Sequence, residues 1–204
     1  MAITATGCAS GGRAELGALE QLQNYDSRRL EEVFNRCFLL AENTRLVGGS
    51  AEPVYRPAGD GQEQHLLYYR EDYFASALHE VAHWCIAGEA RRQLVDFGYW
   101  YAPEGRDSQQ QRAFESVEVK PQALEWYFAK ACGYRFQVSV DNLDPDTGAL
   151  PDTHHFRERV LVQARCWLDE GLPARAQQFF DALSGAFGTR LTAACLDFQP
   201  EELL

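Results

Sequence analysis

The sequence predicts an α+β fold in which helices outnumber strands, a small sheet carrying packed helices. Three observations lead there: helical apolar spacing over long stretches, short runs of β-branched and aromatic residues bounded by Gly and Pro, and no internal repeat. At 204 residues with 46% hydrophobic and 24% charged side chains, the composition is that of one globular domain with a real core. Residues 1–13, small and Gly/Ser-rich, are expected to be a disordered extension, with 14–204 forming the single catalytic domain.

Helical spacing begins at Leu16, Leu19 and Leu22 and resumes at Leu30, Val33, Phe34, Cys37 and Phe38, with Asp26 or Ser27 as N-cap of the second piece. "TRLVGG" and "EPVYRPAG" read as short extended segments, and "HLLYYR" reads as a strand. Glu71 to Ala87 is expected to be a helix stopped by Gly88. "QLVDFGYWYAP" suits a strand or a structured loop. Asp107 can cap a long helix ending at Gly133, with Pro121 expected to kink or break it. "YRFQVSV" alternates as a strand does, 141–152 reads as loop, and two more helices are expected from about Thr153.

The formal charge of −11 argues against a nucleic-acid groove, which needs a basic face. No apolar run approaches the roughly 18 residues that span a bilayer, and the N-terminus lacks the charged and apolar regions of a secretory signal. A soluble, cytoplasmic protein is therefore expected. The six cysteines, at 8, 37, 85, 132, 166 and 195, include no CxxC pair and are expected to be free thiols.

The chemistry concentrates in "FASALHEVAHWCIAG". On a helix, His79 and His83 lie one turn apart on one face, so both imidazoles can reach one metal ion. Cys85, about 200° round the helix from His83, points away, whereas Glu80, about 60° from His83, can be a general base, a neighbour that orients a ligand, or a ligand itself. A third ligand is needed. His65 is expected to be an ordinary strand residue, and His154–His155 to be solvent-exposed or capping at a helix start. Glu115 and Glu118 in "FESVEVKPQALEW" share a face of the next long helix and are better candidates. Two histidines and a carboxylate fit a zinc hydrolase, peptidase or nuclease, with Glu80 as general base, and fit equally the facial triad of non-haem Fe(II) oxygenases. The Glu-x-x-His spacing of di-iron bundles occurs without a second copy, "DFG" lacks the other kinase motifs, and no G-x-S-x-G or P-loop is present.

The segments "NTRLVGG", "EPVY", "ASALHEVAHWCIAGEARRQLVDFGYWYAPEGRD", "FESVEVKPQALEW" and "VSVDNL" together resemble the bacterial elongation factor P hydroxylases, over roughly residues 28–143. The resemblance implies a fold similar to a metal-dependent ribonuclease type, with the metal site on two adjacent helices. It implies hydroxylation of the β-lysylated lysine of elongation factor P, and a 2-His-1-carboxylate site falling on His79, His83 and Glu118, preferred to Glu115. Hydroxylating an unactivated C–H bond needs a redox metal, which zinc is not, so Fe(II) with O2 is the expected cofactor set, the reductant being undefined. Glu80 is then expected to orient a ligand or water. Glu115 or Asp141 are expected to steer the cationic substrate side chain. Arg91 and Arg92 either meet the protein partner or are solvated helix-end charges, and the "DFGYWY" aromatics either wall the pocket or pack in the core.

Overall fold

The computed structural model describes residues 25–59, 61–98, 106–139 and 153–203. Helix α1 (Ser27–Phe38) starts where Asp26 accepts the Arg28 amide at 3.0 Å, and turns Leu30, Val33, Phe34 and Phe38 inward. Three strands follow: β1 (Thr44–Ser50), β2 (Val54–Arg56) and β3 (His65–Arg70). They form one sheet in the order β1-β3-β2, with β3 parallel to β1 (Leu46 opposite Leu67) and antiparallel to β2 (Tyr55 opposite Leu67). Gly48 sits where the β1 register slips. A Cβ there would lie 2.5 Å from the Tyr69 hydroxyl, so only glycine fits. Its amide and the Tyr69 hydroxyl both donate to Glu31 of α1, at 2.9 and 2.8 Å, which fastens helix to sheet.

Helix α2 (Phe74–Ile86) is shorter than the expected 71–87. Glu71 cannot belong to it, because Glu71 has φ 47° and its N–H and C=O pair with Ser50 and Gly49. Of the two forms expected for this stretch, a strand or a structured loop, residues 93–98 take the second: two tight 3-10 turns (Arg91–Gln93, Val95–Gly98) flank Leu94, and Asp96 and Phe97 adopt left-handed conformations. Phe97 is buried and stacks on Tyr55, and Asp96 accepts the Tyr55 amide, so this part of the aromatic run is core. Residues 99–105 lie outside the described residues.

Helix α3 (Ser108–Cys132) opens with a capping box between Asp107 and Gln110 and closes on Gly133 in the left-handed conformation. It runs through Pro121 without the break that was one of the two outcomes expected there. Residues 121–129 are all buried, so neighbours on every side hold the helix where the proline removes an internal hydrogen bond. The expected strand at "YRFQVSV" is absent: residues 134–139 are irregular, and the Gln122 side chain takes the place of a strand partner by bonding both the N–H and the C=O of Ser139. Helices α4 (His154–Glu170) and α5 (Ala174–Phe187) fulfil the expected C-terminal pair. α3 packs against α2, α4 and α5, and one continuous apolar core joins the five described helices to the sheet. The fold is thus α+β, as read from the sequence. The expected helix at 16–22 and the disordered extension lie outside the described residues. The five described cysteines are free. Among the described residues, no helix is long and apolar enough to cross a membrane.

Candidate metal centre

The core face of α2 is set by Ala77, Leu78, Val81, Ala82 and Cys85, all buried. That burial leaves His79 and His83 facing α3 from positions one turn apart, and their Nε2 atoms stand 3.1 Å from each other. Cys85, as expected, belongs to the core and not to this cluster.

From α3, Glu118 reaches between the two imidazoles. Its Oε2 is 3.4 Å from His79 Nε2, and its Oε1 is 3.2 Å from His83 Nε2. Two ligand atoms about 2.1 Å from one ion, at right to tetrahedral angles, lie roughly 3.0–3.4 Å apart. All three separations fall in that range. The ligand atoms of His79, His83 and Glu118 lie within 4.8 Å of one another, and this is the one such group among the described residues. Glu118 is 1% exposed, yet the contact of its Oε1 with His83 Nε2, 3.2 Å long, lacks full hydrogen-bond geometry, a pairing that a buried carboxylate seldom leaves incomplete. An ion held by the three side chains would satisfy it. The donor set therefore fits a divalent metal.

Two further residues of α3 complete the cluster, and neither was singled out from the sequence. Glu125 accepts a hydrogen bond from His79 Nδ1 at 2.9 Å. Gln122 donates through Nε2 to Glu118 Oε2 at 3.4 Å and to the Ser139 carbonyl at 2.7 Å. The signal was present: Glu118, Gln122 and Glu125 follow at i, i+4 and i+7, the spacing of one helical face. Among the described residues, Glu118 and Glu125 are the two buried carboxylates.

The electrostatics follow from this crowding. Burial disfavours the His79 imidazolium, but Glu118 and Glu125 outweigh it and lift His79 to about 10. Burial likewise acts against the Glu118 carboxylate, and the two histidines overcome it, holding Glu118 at about 2. Desolvation dominates at Glu80 and at Glu125, and both are raised.

The remaining candidates are dispersed. Glu80 is partly exposed, next to the ligand pair. Glu115 lies one turn before Glu118 and accepts from Gln111 at 3.1 Å, outside the ligand group. Arg91 is exposed and donates to the Phe97 carbonyl at 3.0 Å, while Arg92 turns inward to pair with Glu42 at 2.6 Å. Asp141 lies outside the described residues. His65 begins β3 and accepts the Ala58 amide at 2.9 Å, and His154 and His155 are exposed near Glu158.

Comparison with known proteins adds two findings. A family model described as elongation factor P hydroxylase matches residues 33–197, further toward the C-terminus than the sequence resemblance reached. The elongation factor P lysine hydroxylase of Haemophilus influenzae is 48% identical over 157 residues, which is 77% of this chain and 86% of that protein. Both His79 and His83, with Glu118, Gln122 and Glu125, fall inside the family match.

Proposed function

Because this chain belongs to the elongation factor P hydroxylase family, we propose that it hydroxylates the β-lysylated lysine of elongation factor P, using a non-haem ferrous ion and O2. The observation that carries the metal assignment is the convergence of His79, His83 and Glu118 on one point between α2 and α3. When bound there, Fe(II) supplies the oxidising chemistry that no side chain can provide, and two histidines with one carboxylate leave coordination positions free. The residues of this chain do the positioning. His79 and His83 stand on the rigid, half-buried α2, and Glu118 on the buried stretch of α3, so the three ligands are placed before any ion arrives.

Glu80 adjoins the ligands with a carboxyl raised by desolvation, which suits it to orient a water or a substrate amine beside the ion. The substrate side chain ends in ammonium groups, so Glu115 and Asp141 are assigned to steer it and exposed Arg91 to meet the protein partner. The reading includes a cytoplasmic location and no binding of nucleic acid, in line with the charge of −11.

The test is to purify the protein anaerobically, measure its metal, and incubate it with β-lysylated elongation factor P, a reductant and O2. The expected product is heavier by one oxygen atom, and His83→Ala abolishes the gain. Absence of any gain, together with peptide or RNA cleavage that Glu80→Gln removes, would replace this reading with a zinc hydrolase.

A further inference from the structure

Glu125 sits two turns beyond Glu118 on α3 and is 8% exposed. It is a costly place for a carboxyl group. The neighbouring positions of the buried stretch, Ala123, Leu124, Trp126, Tyr127 and Phe128, are apolar, so a carboxylate there is poorly solvated. Among the described residues, no lysine or arginine bonds it. Its hydrogen-bond partner is His79 Nδ1, at 2.9 Å, on the side of the ring opposite the nitrogen that faces His83 and Glu118.

We infer that Glu125 is a positioning residue for the metal centre: as hydrogen-bond acceptor it fixes the ring orientation of His79 and keeps the proton on Nδ1, so that the Nε2 lone pair points at the ion. An imidazole bound through Nε2 must carry its remaining proton on Nδ1, and a carboxylate there secures both the tautomer and the ring rotation. A neutral histidine without that acceptor is free to carry its proton on Nε2, the nitrogen required by the metal. The arrangement also divides the labour of one helix face. Glu118 supplies the ligand, Gln122 braces it at 3.4 Å, and Glu125 braces the ligand on the opposing helix. This inference rests on the proposed metal site, but not on the identity of the reaction.

The probe is Co(II), titrated into the metal-free full-length protein in competition with a chromophoric chelator. Wild type is expected to bind one equivalent, and His83→Ala to lose that binding. Glu125→Ala is expected to weaken the affinity about 10- to 100-fold. Glu125→Gln, whose amide oxygen still accepts the Nδ1 proton, is expected to retain affinity within roughly tenfold of wild type. The melting temperature of each metal-free variant is measured in parallel. A merely structural role would lower that temperature and leave the Co(II) affinity of the folded protein unchanged. Wild-type affinity in folded Glu125→Ala, or a Glu125→Gln affinity as poor as that of Glu125→Ala, overturns the inference while the metal site stands. If Glu125→Ala does not fold, the Glu125→Gln result against wild type decides. Failure of the wild type to bind Co(II) at all would instead remove the metal site and the proposed function with it.

Discussion

Without an ion, the charge of Glu118 has to be balanced by a proton, and His79 is the residue that keeps it. The His79 pKa is lifted from 6.5 to about 10, so its contribution to stability is complete below about 6.5 and is lost as pH rises through about 10. Glu118, lowered from 4.5 to about 2, contributes above about 4.5 and loses its contribution only as pH falls toward 2. Glu80 and Glu125 are raised, so ionising them in the fold opposes stability as pH climbs past their ordinary range. The metal-free protein is therefore expected to lose stability from about pH 6.5 upward. A divalent ion replaces the His79 proton and meets no such competition at high pH. Saturating Zn(II) is thus expected to raise the melting temperature more at about pH 8.5 than at about pH 6. Melting curves with and without the ion check this, and in His79→Gln the dependence on pH should flatten. At this scale the sequence was most legible for His79 and His83, because a one-turn spacing of imidazoles has few other uses on a helix flanked by apolar positions, whereas the residues alone left Glu115 and Glu118 open and only the family resemblance preferred Glu118. Glu125 and Gln122 escaped notice because polar residues on a helix ordinarily face water, and only the packing of α2 and of residues near Ser139 against α3 reveals that these do not.

The helices that carry the ligands are held at their ends by contacts from distant elements. Arg175 of α5 directs its guanidinium at the C-terminus of α2, donating to the carbonyls of Trp84 at 3.0 Å, Cys85 at 3.2 Å and Ala87. Its plane also lies 4.8 Å from the Trp84 ring. These carbonyls have no partner within the helix, and His83 belongs to the same last turn. Arg175→Met keeps the apolar stem but removes the donors, so it is expected to cost about 2–3 kcal/mol in urea unfolding. It should also weaken metal binding, since the turn bearing His83 loosens; an unchanged metal affinity would show that packing alone fixes that turn. At the start of α3, Asp107→Ala removes an acceptor for two amides and is expected to cost about 1 kcal/mol while leaving the site intact, because Glu118 lies three turns further in. The elements themselves were legible where their signals were local: the Asp26 and Asp107 caps, the Gly133 stop, the strand at 65–70. They were misread where tertiary contacts prevail. Pro121 does not interrupt α3 because buried neighbours hold it on all sides, and "YRFQVSV" alternates like a strand but finds a glutamine side chain in place of a sheet edge.

In the whole molecule, an ion bound at the candidate metal centre would also be a cross-link. His79 and His83 stand on α2, next to the sheet, whereas Glu118 stands on α3, which carries α4 and α5. An ion bound by all three would tie the sheet-side layer to the helical layer, beside the apolar packing that already joins them. The α+β class was legible from punctuation and periodicity. The order β1-β3-β2 was not, because a parallel neighbour reached by crossover leaves no mark on either strand's own pattern. The consequence for stability is quantitative. An ion that binds the folded chain and not the unfolded one adds about 2.7 kcal/mol at a free concentration one hundred times its dissociation constant. Stripping the ion with a chelator should therefore lower the melting temperature, and restoring it should recover the loss. In His83→Ala, where one ligand is gone, the ion should leave the melting temperature unmoved. If His83→Ala responds as wild type does, the stabilising ion sits elsewhere on the acidic surface, and the link between α2 and α3 is made by apolar packing alone.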